Sequence, residues 1–108
     1  MKRRSIFIDP IAQSDLLNIF DFIAEAAGPE RATAYVERIM AFCMSFDLAS
    51  ERGQKRDDVR PGLRVTGFER RITIAFEVTR TEVRFLRFFY GGADWESRSE
   101  EHTSELQS

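Results

Sequence analysis

Between residues 60 and 90 the chain alternates apolar and polar residues with a period of two, and this pattern limits what the rest can fold into. Ile72, Ile74, Phe76 and Val78 share one parity, while Arg71, Thr73, Ala75 and Glu77 share the other. That is the signature of a half-buried antiparallel strand over 71–78. Flanking strands are expected over 62–66 and 83–90, joined by a glycine-containing break at 67–70 and a short polar one at 79–81. Three strands linked so closely form a meander, whose apolar face needs a covering layer.

The first half of the chain supplies that layer. Residues 5–8 read as a short strand ending at Asp9-Pro10, a good N-cap followed by a residue suited to the first helical position. Leu16, Ile19, Phe20, Ile23 and Ala27 then recur at three- and four-residue spacing, with Asp15, Asp21 and Glu25 on the polar side. Gly28-Pro29 ends this helix and opens a second, from 29 to about 50, with a seam of Ala32, Tyr35, Ile39, Phe42 and Phe46. The link is short enough to make an antiparallel helical hairpin. Residues 51–58 are polar and contain glycine, so they read as a loop into the meander. Strand, helix, helix and three strands make an α+β fold with both helices on one face of a single sheet. The other face is expected to carry Arg64, Thr66, Arg71 and Thr73, with Arg84 or Arg87. The parity of the last strand stays open, because Phe88 and Phe89 are adjacent and both apolar.

At 108 residues and 43% hydrophobic content the chain has material for one core. No apolar run approaches the roughly 20 residues that span a bilayer, and the basic start has no apolar segment behind it, so a cytoplasmic protein is expected. The lone Cys43 stands among apolar neighbours at helical spacing and reads as core. Charge is unevenly spread: residues 52–90 hold ten basic and five acidic residues, residues 1–51 five and eight. A basic half favours acidic partners. Residues 98–108 carry one apolar side chain and no periodicity, which predicts a disordered tail outside a 1–97 domain. This stretch also resembles, over its whole length, the translation of a common sequencing-library adapter. The only histidine, His102, lies in it and is given no catalytic role. Triads built on histidine, zinc sites and glycine-rich phosphate loops are therefore excluded, and no cofactor is implied. Arginine chemistry on phosphates remains.

Residues 15–25, the Arg-Pro-Gly-Leu-Arg run at 60–64, the Arg71-Ile72-x-Ile74-x-Phe76 strand and the 83–94 segment through Leu86-Arg87 and Gly91-Gly92 together resemble the RelE/ParE superfamily of toxin–antitoxin toxins, closest to the ParE branch. The resemblance spans roughly residues 4–96. It implies the same strand, hairpin and meander, and a toxin that binds DNA gyrase and is neutralised by a ParD-like antitoxin seated in the apolar groove between hairpin and sheet edge. It implies no membrane association and no sequence-specific nucleic-acid binding by the toxin alone. Target or antitoxin contacts are expected at Arg60, Arg64, Arg71, Arg84, Arg87 and Trp95, with Trp95 folding back over the sheet edge as the competing role. The alternative is a RelE-like ribosome-dependent mRNA endonuclease, which would use Arg64, Arg71, Arg87 and Tyr90. Against it, Thr66, Thr73 and Ala93 stand where that branch has basic residues. For Arg64 and Arg87 the competing role is a salt bridge to Glu77 or Glu82.

Overall fold

The computed structural model describes residues 3–91; Trp95, Ala93 and the expected tail at 98–108 lie outside them. The elements are β1 (Ser5–Ile8), α1 (Pro10–Ala27), α2 (Pro29–Met44) with a 3-10 turn at Ser45–Asp47, β2 (Gln54–Lys55), β3 (Arg64–Phe68), β4 (Ile72–Val78) and β5 (Glu82–Tyr90). The sheet has five strands in the order β1-β5-β4-β3-β2, antiparallel except for β1, which runs parallel to β5. The helical hairpin and the meander thus form as expected from the sequence, and α1 and α2 pack together with α1 lying on β5.

Local chemistry explains the boundaries. The Asp9 carboxylate accepts the Ile11 N–H at 3.3 Å, and Pro10 opens α1. Gly28 ends it at φ +97°, its N–H closing on the Ala24 carbonyl, and Pro29 starts α2. The regular second helix stops at Met44, short of the expected residue 50. Its last turn tightens instead, and the Arg52 guanidinium, stacked 4.3 Å over Phe46, donates to the Ser45 and Ala49 carbonyls.

The loop expected over 51–58 contains a strand. Gln54 and Lys55 pair with Val65 and Arg64, and Gly53 makes the approach possible at φ +72°: a Cβ there would meet the Val65 carbonyl oxygen at 2.2 Å. The meander's first strand and turn both sit two residues later than expected. Gly67 lies inside β3, and the reversal falls on Glu69 and Arg70, both at positive φ (49° and 58°), with Arg71 N–H bonded to the Phe68 carbonyl. The sheet extends that far because Phe68 packs its ring on Tyr35 and Phe42. The strained turn is held by Arg38 on α2, whose guanidinium grips the Glu69 carboxylate at 2.9 and 3.0 Å.

The core between helices and sheet is built on Ile19, Ile39, Cys43, Phe46, Ile74, Phe76 and Phe85. Phe46 meets Phe76 and Phe85 edge-on at 5.2 and 5.3 Å, a geometry worth about 0.5–1.5 kcal/mol per pair beyond burial. Cys43 belongs to this core, and its burial pushes the thiol up to about 12, well clear of reactivity.

The second face of the sheet is not the open polar surface expected. Leu63, Val65, Ala75 and Phe89 form a small apolar cluster there, joined by Val59 and Leu86. Register assigns the faces: Arg64 and Thr66 lie opposite Phe76 and Ile74, on the helix side, while Thr73, Ala75 and Glu77 take the other side. Arg64 and Thr66, placed with Thr73 by the sequence pattern, therefore separate from it.

β5 reconciles its two adjacent phenylalanines with a bulge. Phe76 pairs with Phe85 but Ala75 with Arg87, so Leu86 is an extra residue, and Phe85 and Phe88 both face the helices while Leu86 and Phe89 face the second cluster. Beyond the bulge β1 has ended, and the Phe88 N–H, facing no strand, donates to the Asp15 carboxylate at 2.9 Å. The same carboxylate takes Arg87 in a two-pronged pair at 2.8 and 3.0 Å. Asp15 is 8% exposed, so the residue assigned to the polar side of α1 is instead the buried junction between helix and sheet.

Two stability predictions follow from this packing. Asp15→Ala strips the partner from a half-buried guanidinium and the acceptor from a buried N–H, and chemical denaturation should register a loss of about 3 kcal/mol, with Asp15→Asn losing less. Tyr35 is the opposite case: its buried hydroxyl has no hydrogen-bond partner among the described residues. Tyr35→Phe keeps the ring contacts and removes the unsatisfied group, so it should hold stability or raise it by about 1 kcal/mol in the same assay.

Candidate functional site

The arginines of the basic half fall into separate places. Arg87 is committed to Asp15, its guanidinium stacking 4.9 Å over Phe89. Arg84, opposite Glu77 on the second face, pairs with Glu82 at 3.1 Å and lies 4.7 Å over the Phe7 ring. Arg60 approaches Glu77 at 3.9 Å and ties the 56–63 loop over the second cluster. Arg64 donates to the Arg52 carbonyl at 3.1 Å and sits 3.8 Å from Glu51, so its partners are neither Glu77 nor Glu82.

Arg71 stands apart from all of these. It follows the β3–β4 turn, at the end of the sheet opposite Arg64, roughly 13 Å along β3 by strand rise. Its guanidinium reaches the Tyr90 hydroxyl at 3.4 Å. The four residues that a ribonuclease would have to bring together are thus split, with Arg71 and Tyr90 adjacent and Arg64 and Arg87 elsewhere.

Arg71 and Tyr90 form one wall of an open cleft of about 510 Å³ between the hairpin and the end of the sheet. The opposite wall is the hairpin itself, with Phe22 and Ala26 from α1 and Arg31, Ala34 and Tyr35 from α2. Phe22 is 56% exposed yet tilts against Tyr90 with ring centroids 5.1 Å apart, leaving an apolar shelf beside cations. Tyr35 forms part of the lining, and burial holds its phenol above the ordinary range, with Glu69 and Tyr90 adding to the shift against Arg71 and Arg38. Arg38 holds the Glu69 carboxyl below its ordinary range, so this pair stays charged.

What this site can do is bind. A shelf of exposed aromatic and small residues flanked by Arg31 and Arg71, with the mutually neutralised Arg38–Glu69 pair beside them, suits an amphipathic segment carrying carboxylates. Among the described residues no cluster of acidic, histidine or cysteine side chains could hold a metal, and no helix is long and apolar enough to cross a membrane. Sequence reading expected a groove between hairpin and sheet edge and named Arg71 as a contact, but not Arg31 or Arg38, which look like ordinary surface residues of a helix, nor Tyr35, which looks like part of its seam. The available signal was their spacing, since 31, 35 and 38 share one helical face.

Comparison with known proteins agrees with this architecture. The family model of the ParE toxin of the type II toxin–antitoxin system parDE matches residues 6–95. Among solved structures, a chain of the chromosomal ParDE toxin–antitoxin system from P. aeruginosa is similar at 27% identity and a TM-score of 0.71, over 82% of this chain and 96% of that one. A search of curated proteins gave no match. With the family match running from β1 to beyond β5 and the fold shared over most of both chains, the protein belongs to the ParE toxin family of type II toxin–antitoxin systems.

Proposed function

We propose that this toxin inhibits growth in the cytoplasm by binding DNA gyrase, without cutting RNA, and that a cognate ParD-like antitoxin silences it. The observation that carries the reading is the dispersal of the arginines. In-line cleavage of a phosphodiester needs cations converging on one phosphate. Here Arg87 is occupied by Asp15, Arg64 lies at the far end of β3 from Arg71, and only Arg71 and Tyr90 adjoin. That last adjacency is the one feature favouring a nuclease, and it puts two of the four required groups together. Induction in growing cells separates the readings. Gyrase-dependent DNA breaks with intact messages are expected, whereas cuts placed at codon positions within translated messages would overturn the proposal.

The antitoxin is assigned to the cleft between hairpin and sheet end. An amphipathic segment would lay apolar side chains on Phe22, Ala26 and Ala34 and direct carboxylates to Arg31 and Arg71. Both arginines are exposed, so reversing either charge spares the core. Arg31→Glu and Arg71→Glu should each weaken antitoxin binding about tenfold or more in a titration, with thermal stability unchanged. Unaltered affinity in both variants would move the antitoxin elsewhere.

A further inference from the structure

At the opposite end of the sheet from the proposed antitoxin site lies a second open cleft, of about 490 Å³, whose charges are not balanced by their neighbours. Four cations line it, Arg4, Lys55, Arg64 and Arg80, against two carboxylates, Glu51 and Asp57. Asp57 is already engaged, accepting the Gly62 N–H at 2.8 Å. Lys55 and Arg80 are exposed and have no ion-pair partner among the described residues.

The two remaining cations are held in place but poorly compensated. Arg4 is fixed by its Nε donating to the Thr79 carbonyl at 2.7 Å. Arg64 keeps only 14% of its side chain exposed, yet its polar partners among the described residues are one neutral carbonyl and one distant carboxylate. That carboxylate is Glu51, which stands 3.8 Å from Arg4 and 3.8 Å from Arg64, too far to hydrogen-bond either well, on a side chain 67% exposed. A largely buried guanidinium with such partners has unmet electrostatic demand. Glu51 occupies the position an external anion would take, and takes it loosely.

We propose that this cleft is a phosphate site for the backbone of a nucleic acid, with Arg4 and Arg64 as its fixed base and Lys55 and Arg80 as its arms. The cleft is open rather than enclosed, so a chain can pass through it, and what it offers is a surplus of positive charge, so the binding proposed is to the phosphates and independent of sequence. Glu51 acts as an internal competitor that the phosphate displaces.

The experiment uses the full chain, freed from antitoxin, and a fluorescently labelled random-sequence DNA duplex, followed by anisotropy across a salt series. Binding at about 50 mM salt is expected, with log affinity falling against log salt at a slope of about −3, and the Lys55→Gln and Arg80→Gln variants each flattening that slope by about 1. Arg70→Gln, which removes an exposed charge at the other end of the sheet, should leave the slope unchanged. Glu51→Gln should tighten binding several-fold while Glu37→Gln, the same charge change on α2, does not. Absence of binding at low salt would overturn the proposal. So would equal effects of the cleft and control variants, which would mean diffuse attraction to a basic surface. Neither gyrase nor growth enters the measurement, so its failure leaves the gyrase reading untouched.

Discussion

The Asp15 carboxylate is the interaction on which the arrangement of the two layers depends. β1 covers the edge of β5 only as far as Phe85, and the chain must then leave the sheet to begin α1. This leaves the Phe88 N–H without a strand to bond, in a place too enclosed for water to serve it. Asp15, on the second turn of α1, takes that N–H and the neighbouring Arg87 together. A single side chain thereby ends the sheet edge, neutralises a guanidinium and sets how close α1 lies to β5. The bulge at Leu86 belongs to the same solution. It turns Phe88 back toward the helices after Phe85, so that the strand stays apolar on both faces without exposing either phenylalanine.

The order and type of the main elements could be read from the chain because they rest on local signals. Asp9-Pro10, Gly28-Pro29 and the strict alternation of 72–78 each act within a few residues, and the structure follows them. The misplacements came from longer-range causes. Gly67 was the expected turn residue, but the demand of Phe68 for Tyr35 and Phe42 carried the strand past it, and the Arg38–Glu69 pair, 31 positions apart in sequence, made the turn possible on two residues that rarely take positive φ. β2 is two residues long, and no periodicity exists at that length. Asp15 sits at a helical spacing that reads as solvent-facing, and nothing near it in sequence announces a partner 72 residues away.

The candidate site was legible as a place and not as a set of residues. A groove beside the hairpin follows from any layered α+β fold whose helices overhang a short sheet. Which arginines face it does not follow, since side-chain direction in the 64–90 region depends on which apolar face of β3 meets the helices and on the bulge of β5. A shift of parity moves an arginine from one face to the other. Arg64 changed sides because Leu63 and Val65, its apolar neighbours of the opposite parity, face the second cluster and not the helices, and Arg87 was drawn to the sheet edge by the bulge.

The same accounting explains why so arginine-rich a chain offers few free cations. Arg38, Arg52, Arg56, Arg84 and Arg87 each bind a carboxylate or carbonyl that shapes a turn, a helix end or a strand edge. Arginine suits that work because its planar fork satisfies two acceptors at once and keeps its charge when half-buried. Among the cations left, Arg31 and Arg71 stand at one end of the sheet and Lys55 and Arg80 at the other. The intervening length of β3 and β4 keeps these two sets apart. In the proposed seating of the antitoxin at the hairpin end, occupation of one end would not exclude occupation of the other, and the bound toxin would still present its second cluster of charge.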